Sequence, residues 1–395
     1  MVPPLISVVI PAFNCPFIKE CVDSVVAQTF ENFELIIVDC STDDHCLRII
    51  ESFDHPKIKI FRRSGRQLPG SNRNFGIGRA AGEFIVCLDA DDIIEPTFLE
   101  EALFVMCCID YSLVGTSFRT FGAMEKTIKL YSHPTLEQVA DGDGFVVTIL
   151  FRKELWHTLG GFKDKALGRD HVPEDWDFFV RALAAGATLY NRGSYGFHYR
   201  KHWDSLTAQP DMPSLEEMRV RIRARHGAKL RRQQSKTEPV AHVIRQDGWR
   251  KMLFDTQRRE TVLLVLPEKI NDGFVDRLKT SLQSNNGVLT VLSTCHMETY
   301  PEGFLQFLSE QRAEMFSLPD FLEDQHLWLE FIGYLGESRK VTSVWYGQNC
   351  FFLEKLPAVS QVLPRVPFSY IARYSTGRPQ ISRAVPCLSS GFESG

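Results

Sequence analysis

Residues 83–92, Glu-Phe-Ile-Val-Cys-Leu-Asp-Ala-Asp-Asp, run from an apolar segment straight into three acids. Phe84 to Leu88 has the length and composition of a buried strand. In an extended backbone residues two apart share a face, so Asp89 and Asp91 would project together while Asp92 points away or begins the next turn. Two convergent carboxylates make half of a divalent-cation site, and Mg²⁺ or Mn²⁺ held this way keeps positions open for phosphate oxygens. The plainer reading is a solvated acidic turn ahead of a helix starting near Pro96.

Around this stretch the pattern is regular. Ile6 to Ile10, Glu34 to Val38 and Lys57 to Phe61 read as strands, and Pro16 to Gln28, Asp43 to Ser52 and Ser71 to Ala81 as helices. Such alternation predicts an α/β domain with a mainly parallel, Rossmann-like sheet covered on both faces. Ligands of open sheets sit outside the carboxyl ends of the strands, where Pro11 to Asn14, Asp39 to Asp44 and Asp89 to Asp92 all fall. Residues 111–210 lose the alternation and read as a sheet extension with loops, which should supply the acceptor side. A second α/β pattern starts at Thr261 to Pro267 and continues through a helix at Gly273 to Ser284 and strands at Val288 to Ser293 and Val341 to Trp345. The expected organisation is therefore a domain over 1–212, a basic helical linker over 213–258 and a smaller Rossmann-like domain over 259–395. No Gly-x-Gly-x-x-Gly or Walker fingerprint supports a dinucleotide or P-loop reading.

The chain has 395 residues, more than one hydrophobic core comfortably serves. No apolar run approaches the roughly 18–20 residues needed to cross a bilayer. The amino terminus has no basic region or small-residue cleavage site, so the expected location is cytoplasmic. Ten cysteines lack Cys-x-x-Cys spacing, which favours reduced, buried thiols over disulfides or zinc. A net charge of −4 argues against nucleic acid as a partner. Residues 219–232 nevertheless hold seven Lys and Arg and no acid. They read as a solvated helix face or linker, with peripheral contact to an anionic membrane surface as the alternative.

Two further groups carry chemistry. Glu174 and Asp175 open a helix-like segment, where acids complement the helix dipole or, functionally, supply a general base for an acceptor hydroxyl. His198 to Thr207 is dense in metal- and phosphate-binding types: a lone histidine there reads first as structural, but together with Arg200, Lys201, Ser205 and Thr207 the segment would fold over a diphosphate, with His202 near the metal.

With these motifs in order, residues 5–207 resemble the family 2 glycosyltransferases of the GT-A fold, which are inverting, metal-dependent users of nucleotide sugars. The resemblance is carried by Ser7 to Asn14, by Phe33 to Asp39 with Ser41-Thr42-Asp43, by the Asn72 to Glu83 helix, by Leu88 to Asp92, by Glu174 to Asp177 and by His202-x-x-Ser-x-Thr207. It implies Pro11, Ala12, Asn14 and Asp39 around the nucleobase and ribose, Arg73 near the diphosphate, Asp91 on the metal, and Asp89 on ribose or metal. It implies Asp175 as the base, with Glu174 in reserve. One departure stands out: a single residue, Cys40, separates the second strand from Ser41-Thr42-Asp43, where the family normally has two, so the loop is one residue short. The Gln-x-x-Arg-Trp signature of processive synthases is absent, which points to transfer of single sugars. The expected partners are a nucleotide-diphosphate sugar, by default a UDP-sugar, and a glycan or lipid-linked acceptor.

Residues 261–372 resemble, more weakly, the amino-terminal acceptor lobe of family 4 GT-B enzymes, through Val262 to Pro267, Phe316 to Leu322 and Val341 to Trp345. Without a donor lobe such a domain is expected to be a catalytically silent binding or assembly module, or the stump of a longer fusion. Two rival readings of the whole chain are a nucleotidyltransferase, whose Gly-rich loop with a basic residue is missing after the first strand, and a non-catalytic binding or scaffold protein of a glycan-assembly complex.

Overall fold

The computed structural model describes residues 3–163, 171–203, 205, 212–233, 242–253, 260–283 and 287–371. The chain forms two units, Met1–Phe254 and Asp255–Gly395.

In the first unit β1 (Ile6–Ala12), α1 (Ile18–Val26), β2 (Phe33–Asp39), α2 (Asp44–Glu51), β3 (Ile58–Arg62), α3 (Pro69–Ile77) and β4 (Phe84–Cys87) follow the predicted alternation. Next come β5 (Ile93–Ile94), α4 (Phe98–Cys108), β6 (Leu113–Gly122), β7 (Lys126–Ile128), α5 (Leu136–Ala140) and β8 (Leu150–Arg152). The unit continues with α6 (Lys153–Leu159), α7 (Glu174–Ala184), β9 (Leu189–Lys201) and α8 (Leu215–Gln233). The sheet order is β3-β2-β1-β4-β8-β6-β9-β5, with β7 on β6. The strands β3, β2, β1 and β4 form a parallel block. Beyond it β8 enters antiparallel to β4 and β6, while β6 and β9 run parallel. The sheet is thus parallel where the alternation is regular and mixed where it breaks down. Every residue of β2 is buried, as a strand covered on both faces requires.

Helix α3 lies unusually close to this block. A Cβ at Gly76 would stand 2.5 Å from Cγ1 of Val9 on β1 and 3.0 Å from Cγ2 of Val38 on β2, so glycine is what permits the approach.

Two expectations need correction. The strand ends at Cys87, and Asp92 N–H donates to the Asp89 carbonyl at 3.1 Å, so Asp89 to Asp92 form a turn. The acids are therefore arranged by turn geometry, not by strand alternation, and Asp92 is fully buried. The segment expected as a solvated linker is also different. Helix α8 packs on α5 and α7, and Met218, Ile222 and Leu230 join the first unit's core. Arg219, Arg221, Arg223 and Arg225 donate to Asp141, His171, Glu137 and Asp177 of that unit.

The second unit contains β10 (Glu260–Val265), α9 (Asp272–Leu282), β11 (Val288–Ser293), α10 (Glu302–Glu310), β12 (Glu314–Ser317), α11 (Leu318–Phe321) and α12 (His326–Ser338). It closes with β13 (Lys340–Tyr346), α13 (Cys350–Val362) and β14 (Phe368–Tyr370). Its five strands are all parallel, in the order β12-β11-β10-β13-β14, a small Rossmann-like sheet with its own core around Val262, Leu264, Val291 and Phe304. Among the described residues of the chain no helix is long and apolar enough to cross a membrane.

Candidate active site

The loops after β1 and β2 are zipped together by Asn14. Its Oδ1 accepts the Thr42 and Asp43 N–H groups at 2.8 and 2.9 Å, and its own N–H donates to Ser41 Oγ at 2.9 Å. Asn14 sits at φ 46°, a left-handed conformation that asparagine tolerates better than most residues. Pro11 and Ala12 end β1 beside it, with Ala12 buried. Asp39 closes β2 and is fully enclosed: Oδ1 accepts the Ser41 N–H at 2.8 Å and Oδ2 lies 3.4 Å from Nε of Arg62. The side chains of Asn14 and Asp39 thus hold these loops in place.

At the end of β4 the acidic turn meets β9. Ile93 and Ile94, immediately after the turn, pair with His198 and Phe197, and this register carries Arg200 and His202 over the acids. Arg200 N–H donates to Asp92 Oδ1 at 2.8 Å, its Nε to the Asp91 carbonyl at 2.8 Å and its Nη2 to Glu20 at 2.6 Å. Nε2 of His202 lies 2.8 Å from Oδ2 of Asp91, with the imidazole edge-on to Phe17. Burial, followed by the charge of Asp89, pushes the Asp91 carboxyl up, and His202 opposes the shift. Arg200, one of the basic residues of the segment expected over a diphosphate, is the clasp of the acidic turn. Asp204, Leu206 and Thr207 of the closing signature, and residues 164–170, lie outside the described residues.

Arg73 joins the two acidic motifs. Its guanidinium, nearly buried, donates to Asp89 Oδ1 at 2.5 Å and to Glu174 Oε1. Glu174 is also buried, so the pair is a desolvated one in which each charge depends on the other. Asp175 is placed differently. It keeps partial exposure, accepts the Trp176 N–H at 2.8 Å, and its carboxyl is pushed up to about 6 by burial first and by Glu174 second, with Arg73 opposing. A carboxylate in this range suits a general base, because it is ionised near neutrality yet holds a captured proton better than an ordinary aspartate.

Among the described residues no three His, Cys, Asp or Glu side chains gather into a metal cluster. Asp91 and His202, whose 2.8 Å contact is a hydrogen bond, bring a carboxylate oxygen and an imidazole nitrogen side by side, donor types that suit Mn²⁺ or Mg²⁺ when the imidazole is neutral and water and phosphate oxygens complete the shell.

Sequence reasoning missed the Arg73–Glu174 pair and the role of Asp177, whose carboxylate is bound by Arg181, Arg225 and His226. A signal for the latter existed: Met218, Ile222, His226 and Leu230 recur at helical spacing, with a histidine inside an otherwise apolar stripe.

A mainly parallel sheet block whose acidic strand-end turn is tied through Arg73 to a helix opening on a carboxylate pair is the arrangement expected of a GT-A fold. A family model described as glycosyl transferase family 2 matches residues 7–178. An uncharacterized glycosyltransferase of Rickettsia typhi is 31% identical over 232 residues, covering 54% of this chain and 69% of that protein. The glycosyltransferase EpsE of Bacillus subtilis, itself described as putative, is 29% identical over 212 residues, covering 51% of this chain and 75% of that protein. Among solved structures, residues 1–349 of Staphylococcus aureus TarS in complex with UDP-GlcNAc align at 18% identity and a TM-score of 0.45, over 63% of this chain and 79% of that one. The chain belongs to glycosyl transferase family 2 and is a glycosyltransferase.

Proposed function

We propose that the first unit is an inverting, divalent-metal-dependent enzyme that moves single sugars from a nucleotide-diphosphate donor, by default a UDP-sugar, to a hydroxyl of a glycan or lipid-linked acceptor in the cytoplasm. The observation that carries the reading is the Arg73 bridge, because it fixes the turn of Asp89 and Asp91 and the helix of Glu174 and Asp175 around one buried cation. With Glu174 held by Arg73, Asp175 is the acid left to work. It removes the proton from the acceptor hydroxyl as that oxygen attacks the anomeric carbon from the face opposite the diphosphate.

Asp91 and His202 would hold Mn²⁺ or Mg²⁺, with Asp89 beside them, and the ion when bound supplies charge neutralisation for the leaving diphosphate. The loops zipped by Asn14, with Pro11, Ala12 and Asp39 as their wall, would shape the seat for nucleobase and ribose. Arg73 serves the donor only indirectly in this reading, through the acid it orients. For the second unit we propose a silent accessory role of the family 4 acceptor-lobe kind, on the support of its all-parallel five-stranded sheet.

The test is turnover of a panel of UDP- and GDP-sugars by the full chain with Mn²⁺, followed by product stereochemistry. Metal-independent turnover, or retention at the anomeric carbon, would overturn the mechanism.

A further inference from the structure

Helix α8 begins well beyond residue 178, where the family match ends, yet it reaches the helix of the proposed base. Its buried stripe is Met218, Ile222, His226 and Leu230, four residues apart, so an imidazole occupies a position otherwise given to apolar side chains. That imidazole meets Asp177, which is itself buried: Nε2 of His226 lies 3.0 Å from Oδ1. Arg225 donates to the same oxygen at 3.0 Å, and Nε of Arg181 to Oδ2 at 2.7 Å. Arg181 continues to the carbonyls of Leu159 and Gly161, beside Phe162, whose N–H donates to Asn74.

Residues two apart on a helix are about 200° apart around its axis, so Asp175 and Asp177 face opposite ways. The first turn of α7 is thus gripped on both sides, by Arg73 through Glu174 and by α8 through Asp177. A desolvated carboxylate with three donors gives a stiff joint, since loss of one donor leaves charge uncompensated in a low-dielectric setting. Arg223, elsewhere on α8, reaches Asp141 and Glu137 instead.

We infer that Arg225 and His226 are positioning residues of the transfer reaction, holding Asp177 so that the first turn of α7 presents Asp175 to the acceptor. This rests on the reading of Asp175 as the base. Displacement of a reacting group by about 1 Å can cost about a hundredfold in rate, which gives the joint a kinetic consequence.

The experiment compares the full chain with Arg225→Gln, His226→Gln, Arg225→Lys and the control Arg223→Gln. Hydrogen–deuterium exchange is read at residues 175–180, and kcat, donor KM and the pH profile with whichever nucleotide sugar the wild type turns over. Arg225→Gln and His226→Gln should speed exchange in the first turn of α7, lower kcat about tenfold or more with donor KM within about twofold, and displace the acid limb of the profile. Arg225→Lys should recover most of the loss, and Arg223→Gln should stay within about twofold of wild type. Because Arg225 is partly exposed, its variants report on the joint even where His226→Gln fails to fold. Unchanged exchange, equal effects of Arg223→Gln and Arg225→Gln, or faster exchange with intact kcat would overturn the inference. A wild-type chain that turns over no sugar donor would instead sink the proposed function, and the exchange arm alone would then decide whether the joint exists.

Discussion

Nε2 of His202 lies 2.8 Å from Oδ2 of Asp91, 111 residues earlier in the chain. The pairing of β5 with β9 makes this contact, because Ile93 opposite His198 leaves β9 running past the acidic turn. A motif at the end of one strand and a motif at the end of another become one donor pair only through that register.

Under the proposed function this donor pair is where the metal binds. Asp91→Asn and His202→Ala should each weaken Mn²⁺ binding by about tenfold or more, the aspartate more, since it contributes charge as well as a donor atom. Titration of the full chain with Mn²⁺, read by calorimetry or paramagnetic resonance, is the check. Undiminished affinity in both variants would place the cation elsewhere.

The neighbouring acids at 174 and 175 should separate by phenotype. Asp175→Asn removes the proposed base while leaving Arg73 paired, so it should lower kcat about 10²–10⁴-fold with little change in stability. Glu174→Gln leaves a buried guanidinium short of one partner and should cost about 3–5 kcal/mol in urea denaturation. If the stability loss appeared in the Asp175 variant and the kinetic loss in the Glu174 variant, the two roles would have to be exchanged.

The pH dependence has a definite sign. The Asp175 carboxyl is pushed up to about 6, and a base works only when ionised, so kcat should fall as pH drops through about 6. Stability has a separate limb. The Asp177 carboxyl is held below its ordinary value, against burial, by bonds first from His226 and then from Arg181 and Arg225. A depressed carboxylate contributes stability that is present above the unfolded-state value and is lost as pH falls toward the folded one. Activity should therefore decline before the fold does, which parallel pH profiles of kcat and of the urea midpoint can establish.

Much of this was legible in the sequence, for reasons of period and position. The parallel block could be read because buried strands and amphipathic helices differ in repeat, and Asp89, Asp91, Glu174, Asp175 and His202 stand out as candidates because polar residues at strand or helix ends are informative. What could not be read was pairing. The Arg73–Glu174 bridge spans 101 residues, and nothing local marks Arg73 as a partner of an acid on another helix. The mixed half of the sheet was opaque because its strands are short and irregularly spaced. The basic stretch misled for the opposite reason: its charges look solvated in one dimension, and only docking on α5 and α7 shows where the acceptors are.

Arg73 reaches its partners from a helix packed tightly against the sheet. Helix α3 carries it on Pro69–Ile77, and the helix lies near enough to β1 and β2 that a Cβ at Gly76 would come within 2.5 Å of Val9 Cγ1. Gly76→Ala should gain helix propensity by up to about 1 kcal/mol, yet overpacking against the sheet should cost about 1–3 kcal/mol, so the net effect is destabilising. The kinetic effect should exceed what that loss explains. Displacing α3 outward lengthens the contacts of Arg73 with Asp89 and Glu174, and both sides of the crevice then lose their common charge. Urea denaturation and kcat measured together on Gly76→Ala are the check: a variant that is less stable but fully active would mean that the bridge tolerates movement and that Arg73 does not set the geometry of the site.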